Sequence, residues 1–345
     1  MSLELFVGNY NIDAGSPPEA SVLARQWLQA HLFPTEACVT GVPPSPRHID
    51  VYVLGFQEVK HFESGEDTLV FPMTNQDAWE AASLSALNWR SNGTVEDDPF
   101  VLLHRVVYSS AMIVVAVRSS LVHSGSSAKQ LVNSGVVAHK LHDGTMTGMK
   151  GVCGVEFDVM LDGKKSASLA LMTSHFQAYS EKLDERLWDA QQVVDALKWP
   201  SKLKTTQHDT AILVGDLNYR IVLPIEEVKK RIATNDLIPL LKADELYANT
   251  HGVVHIDHDY HKPPTVDSPV FVGWKEAPIH FKPTYKFVNG TDTWDDSGKQ
   301  RTPAWCDRVL AHGPSKVHYY TSATALKFSD HRPILALVSV PLTIN

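Results

Sequence analysis

The chain has 345 residues, 43% of them hydrophobic, and 31 Lys and Arg against 39 Asp and Glu give it a formal charge of −8. That is enough apolar mass for a sizeable core, and it excludes a general nucleic-acid binder, whose affinity for a polyanion comes from basic surface, while leaving room for a small anionic ligand met by locally gathered cations. No apolar run is long enough to span a bilayer, and the opening MSLELFVGNYN lacks a basic stretch before its apolar residues, so Met1 onward is expected to be folded protein. The three cysteines, Cys38, Cys153 and Cys306, have no metal-ligand spacing and are expected as buried free thiols in a reduced compartment.

Leu3 to Val7 reads as a short strand that runs into Asn9, Asn11 and Asp13. A covering helix is expected after Ser16 as N-cap, with Pro17 and Pro18 at its start and Val22, Trp27, Leu28 and Leu32 on its apolar face. Ile49 to Phe56 is a second strand, ending on Gln57 and Glu58, and Gln76 to Leu87 has helical spacing. Val101 to Val107, Ala111 to Val117 and Leu131 to Ala138 read as strands, and a glycine-punctuated loop from Gly144 to Gly151 carries the single cation Lys150. Gly154 to Val159 and Ser168 to Thr173 form a hairpin about Asp162 and Gly163, the second strand running into His175. A helix over Glu181 to Leu197 precedes the strand Ile212 to Val214, which is expected to stop and turn at Gly215, with Asp216, Asn218 and Arg220 following at alternate positions. Pro224 to Leu241 reads as one helix, and Val309 to Ala311 and Leu335 to Val340 as late strands. With no repeat, low-complexity segment or linker, residues 1–345 are read as one domain.

Residues 249–268 stand apart. His251, His255, His258 and His261 lie among Asp257 and Asp259, a spacing that zinc could use, but Pro263, Pro264 and the polar composition favour a surface insertion.

Several apolar strands thus end in polar chemistry, at Asn11, Glu58, His175, Asp216 with Asn218, Asp307, and Asp330 with His331. Each alone has a bland reading as a loop residue. Together, carboxylates and amides with few thiols suit a hard divalent cation, Mg²⁺ in particular, completed by a substrate phosphate.

The motifs YNID (10 to 13), FQEV (56 to 59), MKG (149 to 151), TSHFQAY (173 to 179), VGDLNYRI (214 to 221), KPTYKF (282 to 287), TPAWCDRVL (302 to 310) and SDHRPI (329 to 334) span almost the whole chain. With them the sequence resembles the inositol polyphosphate 5-phosphatases of the endonuclease/exonuclease/phosphatase superfamily. The resemblance implies a DNase I-like α/β/β/α four-layered sandwich with its site at one edge of two packed sheets. It implies Mg²⁺-dependent removal of the 5-phosphate of phosphoinositide lipids or soluble inositol phosphates by direct water attack. Glu58 is then the principal metal ligand, with Asn11 beside it and Asp330 on the metal side. Asp216 orients or deprotonates the water, Asn218 faces the phosphate, His331 contacts the scissile phosphoryl group with Asp307 orienting its ring, and His175 holds the same phosphate from another direction. Tyr285, Lys286 and Lys299 read the 4-phosphate, Lys150 and Arg301 add substrate charge, Arg308 has a structural alternative, and Arg220 is support behind the site.

Met149, where the family often has Asn, and Tyr179, where many members have a small residue or histidine, depart from the pattern. A monomer in the cytoplasm, with transient contact to the cytosolic face of membranes and no nucleic-acid partner, is the expected setting. A nuclease or sphingomyelinase-like phosphodiesterase of the superfamily, and an inactive phosphoinositide-binding module, are the alternatives.

Overall fold

Strands that are apolar on both faces must be covered on both sides, and that requirement sets the architecture. A computed structural model describes residues 1–44, 48–59, 74–94, 97–123, 128–141, 150–247, 270–295, 297–298 and 301–343. Twelve strands run among them: β1 (Ser2–Asn11), β2 (Val51–Gln57), β3 (Phe100–Tyr108), β4 (Ala111–Arg118), β5 (Lys129–Lys140), β6 (Gly151–Leu161), β7 (Lys164–His175), β8 (Thr210–Asp216), β9 (Trp274–Lys275), β10 (Asp307–His312), β11 (Lys316–Ser322) and β12 (Ile334–Pro341). They form two six-stranded sheets, ordered β11-β12-β1-β2-β4-β3 and β5-β6-β7-β8-β10-β9. Each sheet has one parallel pair, β1 with β2 and β7 with β8, and its other pairs are antiparallel.

The inner faces meet through Leu5, Val7, Val51 and Val53 of one sheet and Val155, Leu169, Leu171, Ile212 and Val214 of the other, all fully buried. Each such side chain contributes roughly 1.5–3 kcal/mol by leaving water. The first sheet's outer face, with Phe6, Tyr10, Leu54 and Phe56, is covered by α1 (Ala20–Leu23) with its π-helical extension Ala24–Leu28, and by α3 (Thr74–Leu87), while α2 (Pro34–Ala37) lies between them in the chain. The second sheet's outer face, with Val152, Met172 and Leu213, is covered by α4 (Leu183–Gln191) and its extension Gln192–Ala196. The layers are therefore α/β/β/α.

Several local expectations change. The first helix starts at Ala20 with Glu19 as its N-cap, because Pro17 and Pro18 stay outside it. The expected single helix over 224–241 is two, α5 (Ile225–Ala233) and α6 (Ile238–Lys242): Asn235 turns left-handed at φ 55°, and Pro239 is accommodated in a first turn rather than an interior. Strand β11 was not read from KVHYYTS, and Cys38 is exposed while Cys153 and Cys306 are buried. Strand β8 does not stop at Gly215 but runs on through Asp216. The glycine is required by approach instead of turning, since a Cβ there would lie 2.2 Å from the Ser174 carbonyl oxygen. The histidine-rich stretch 249–268 lies outside the described residues. Among the described residues no helix is long and apolar enough to cross a membrane.

His31 lies under the first sheet's helices, with its ring 6.2 Å from Phe6 and its Nδ1 without a hydrogen-bond partner. Burial pushes its pKa down to about 4. The unfolded chain takes up this proton near the ordinary 6.5 and the folded chain only near 4, so unfolding is proton-coupled and stability falls as pH drops through that window. His31→Phe should remove roughly 3 kcal/mol of the stability lost between pH 7 and pH 4. Urea midpoints at the two pH values measure it, and an unchanged difference would refute the assignment.

Candidate active site

Strand register brings the polar strand ends to one edge. In the second sheet Gly151 pairs with His175, His175 with Asp216, and Asp216 with Asp307, so four neighbouring strands deliver their last or first residues in one row. In the first sheet Asn11 pairs with Gln57 and Asn9 with Ile334, placing Glu58 and the Ser329–His331 segment at the same edge. Glu58, directly after β2, and Asn218, two residues after the end of β8, take left-handed backbone at φ 54° and 55°, which turns each side chain out of the sheet register.

Asp307 is the best-connected group. Its Oδ1 accepts Asn9 Nδ2 at 2.9 Å, and its Oδ2 accepts Thr284 Oγ1 at 2.7 Å and His331 Nδ1 at 2.9 Å. Burial alone would push the pKa of His331 down, but Asp307, together with Asp216 and Asp330, carries it up to about 10, so the ring is an imidazolium at neutral pH. His331 Nε2 lies 3.8 Å from Asp216 Oδ2 and 3.9 Å from Asp330 Oδ1, and the Tyr285 ring packs on the imidazole with centroids 4.5 Å apart.

Asp216 is buried with its Oδ2 accepting Asn11 Nδ2 at 3.0 Å and its Oδ1 accepting the Asn218 backbone N–H at 3.0 Å. Burial raises its pKa, opposed by His331, to about 6. Asn11 Nδ2 also reaches Glu58 Oε1 at 3.1 Å, so one amide spans both carboxylates. His175 is the opposite case to His331: burial, reinforced by Lys150, drives its pKa well below the ordinary value. Lys150 Nζ donates to its Nε2, which leaves the ring proton on Nδ1 facing Ser110 Oγ at 3.2 Å. Burial lowers the Lys150 pKa to about 8 against the pull of Asp216 and Glu58.

The structure thus gathers Asn11, Glu58, Lys150, His175, Asp216, Asp307 and His331, with Asn218 adjoining. Asn218 Nδ2 donates to the Phe176 carbonyl at 3.0 Å, and its Oδ1 accepts from Arg220, leaving one Nδ2 proton for a ligand. Lys150, expected among the substrate cations, sits within this cluster, 7% exposed. Asp330, expected on the metal side, accepts Lys286 Nζ at 2.9 Å and is not one of the clustered donors below. Lys286, Tyr285 and Arg301 line an adjoining cavity of about 170 Å³. Lys299 and Met149 lie outside the described residues. Arg308 is buried against Asp244 at 2.8 Å and against Glu276, a structural position away from that cavity's walls.

Supporting residues Asn9, Thr284 and Ser110 were missed. Asn9 shares the alternation of Asn11 and Thr284 adjoins Tyr285, so both had a signal, whereas Ser110 in a strand-to-strand turn had none.

Glu58, His175 and Asp216 place ligand atoms within 4.8 Å of one another. Because Lys150 engages His175 Nε2, the donors that fit a hard divalent cation are the carboxylates of Glu58, whose side chain is 40% exposed, and Asp216, with the Asn11 amide.

A sandwich with acids, imidazoles and cations at one edge of both sheets is the DNase I-like fold, shared with the inositol polyphosphate 5-phosphatase domain of SPsynaptojanin in complex with inositol (1,4)-bisphosphate and calcium ion (TM-score 0.75, 29% identity, 99% of this chain and 84% of that one). The chain belongs to the endonuclease/exonuclease/phosphatase family 2, whose model matches residues 8–337. Relatives include inositol-1,4,5-trisphosphate 5-phosphatase 1 of Schizosaccharomyces pombe, 30% identical over 97% of this chain and 27% of that protein. Another is type IV inositol polyphosphate 5-phosphatase 9 of Arabidopsis thaliana, 26% identical over 100% of this chain and 79% of that protein. The chain spans 27 to 32% of the length of the first four curated relatives it matches. Cimex nitrophorin in its ferrous NO complex shares the fold alone (TM-score 0.62, 20% identity, 99% of each chain).

Asp307→Asn should lower the His331 pKa from about 10, because burial is then opposed by Asp216 and Asp330 alone. An NMR titration of the His331 ring reads this directly, and an unmoved pKa in the variant would contradict the pairing.

Proposed function

We propose that this chain hydrolyses the 5-phosphate of inositol polyphosphates or phosphoinositides by direct attack of water, with Mg²⁺ as cofactor. The observation that carries the reading is the buried His331 ring, 2.9 Å from Asp307 and 3.8 Å from Asp216, with a cation-lined cavity opening beside it through the shared Tyr285 wall. The names of the relatives support it: they act on inositol 1,4,5-trisphosphate and on phosphatidylinositol 4,5-bisphosphate, and the synaptojanin domain binds the ring that loss of the 5-phosphate from the trisphosphate would leave.

Glu58 with Asn11 and Asp216 would hold the cation, which supplies Lewis-acid charge for the leaving oxygen. Asp216, with a pKa near 6, is ionised at neutral pH and accepts the proton of the attacking water. His331 presents its Nε2 proton to a phosphoryl oxygen while Asp307 holds the other side of the ring. Lys150 adds a buried positive charge, and the free Nδ2 proton of Asn218 adds a donor. Cys153 and Cys306 are buried with thiol pKa values pushed up by burial, so neither is a thiolate nucleophile.

Phosphate release from soluble inositol 1,4,5-trisphosphate and a 4,5-bisphosphate lipid, beside strand cleavage of abasic DNA, each with Mg²⁺ or EDTA, tests the proposal. Metal-dependent release from the inositides is expected, and activity on DNA alone would point to a phosphodiesterase instead. Asp216→Asn should lower kcat by ~10³-fold and weaken the dependence on Mg²⁺. Lys286→Ala removes the partner of Asp330 and should cost more in preference for a 4-phosphate than in kcat; unchanged preference would take Lys286 out of substrate selection.

A further inference from the structure

The turn between β3 and β4 reaches the catalytic edge, although nothing in its sequence marks it as part of the site. Ser109 takes left-handed backbone at φ 56°, and Ser110 behind it is buried, 1% exposed. The Tyr108 ring lies so close to the start of β6 that a Cβ on Gly151 would stand 2.6 Å from it, which holds the turn beside Lys150. Ser110 then makes two contacts of different kinds. Its carbonyl accepts the Val59 N–H at 3.2 Å, tying the turn to the residue after Glu58. Its Oγ lies 3.2 Å from His175 Nδ1.

The other nitrogen of that ring has three neighbours. His175 Nε2 accepts from Lys150 Nζ, and it lies 3.5 Å from Asp216 Oδ2 and 3.8 Å from Glu58 Oε1. A neutral ring can serve them in one of two ways. With its proton on Nδ1, Nε2 is an acceptor and holds the ammonium. With its proton on Nε2, the ring donates to Asp216 and has no lone pair left for the lysine. The ammonium would then fall to the carboxylates, which the cation and the attacking water need. Ser110 Oγ biases this choice, because a buried N–H is costly unless an acceptor meets it.

We propose that Ser110 is a positioning residue that, through the His175 ring, holds the Lys150 ammonium toward the substrate anion and off the carboxylates of Glu58 and Asp216. This rests on the reading of the site as a phosphate hydrolase. Among the described residues Lys150 Nζ has one hydrogen-bond partner, His175, so two of its three protons are left for phosphoryl oxygens. His175 then meets the substrate through the lysine and not by an N–H of its own. A lysine side chain loses much rotamer freedom on being fixed, and orientation held in advance reduces that ordering cost.

The test reads the His175 tautomer by long-range ¹⁵N–¹H NMR of the full chain, and turnover by phosphate release from inositol 1,4,5-trisphosphate with Mg²⁺. In the wild type the ring should carry its proton on Nδ1. Ser110→Ala keeps the backbone carbonyl that Val59 uses, yet it should move the proton to Nε2 and lower kcat/KM about tenfold. Lys150→Met should lower kcat/KM about 100-fold. Adding Ser110→Ala to Lys150→Met should cost nothing further, because Ser110 acts only through the lysine. A wild-type ring protonated on Nε2, an unmoved tautomer or an unchanged kcat/KM in Ser110→Ala, or additive losses in the double variant would each overturn the proposal. The expected tautomers in a chain that releases no phosphate from the trisphosphate would overturn the hydrolase reading alone.

Discussion

The Asp307 carboxylate is the constraint on which the site depends. It is wholly buried, and a buried charge is tolerated only when its lone pairs are met by donors, at a penalty of several kcal/mol otherwise. The donors come from β1 (Asn9), the loop before β10 (Thr284) and the segment before β12 (His331), so satisfying one carboxylate of the second sheet ties down the edge of the first. Gln57 extends the tie by donating to Asn9 at 2.7 Å and to Thr173 at 2.9 Å. The sheets close so tightly there that a Cβ on Gly55 would sit 2.3 Å from Thr173 Oγ1.

That closeness is also what separates the ionisation states. Two histidines lie against the same carboxylate, at 3.5 Å for His175 and 3.8 Å for His331. Burial disfavours the charged form of both. A carboxylate behind His331 reverses the effect, and an ammonium in front of His175 reinforces it. The result is one cationic and one neutral imidazole beside a carboxylate that titrates near 6, in a protein whose overall charge is −8. Local pairing, and not net charge, decides what anion such a site accepts.

The fold does not by itself decide the chemistry. A nitrophorin shares the architecture over 99% of both chains at 20% identity, so what is particular to this chain lies in side chains at one edge of the sandwich and in the cavity wall beside them. Tyr179 illustrates the difference. It closes the motif TSHFQAY next to the cavity, yet its position is set by Arg186 and Glu245 in the core.

Much of this was readable in one dimension because continuous apolar runs that end in acids and amides are local patterns: the central strands, the four layers implied by resemblance, and the clustering of Asn11, Glu58, His175, Asp216, Asp307 and His331 all correspond to contiguous motifs. Gly215 showed the limit. Its sequence context suggests a turn, whereas its reason is the Ser174 carbonyl on a neighbouring strand, 41 residues away in number and 2.2 Å from a Cβ that cannot be there. The partners of each charge were equally out of reach. Lys150 against His175, Lys286 against Asp330 and Arg301 on Tyr179 are contacts between distant segments whose register is set by the closing of two sheets. The sequence by itself determined which residue types reach the edge. Only the tertiary structure decided which imidazole carries a proton and which cation faces a ligand, because both depend on distances of a few ångströms across the sheet interface.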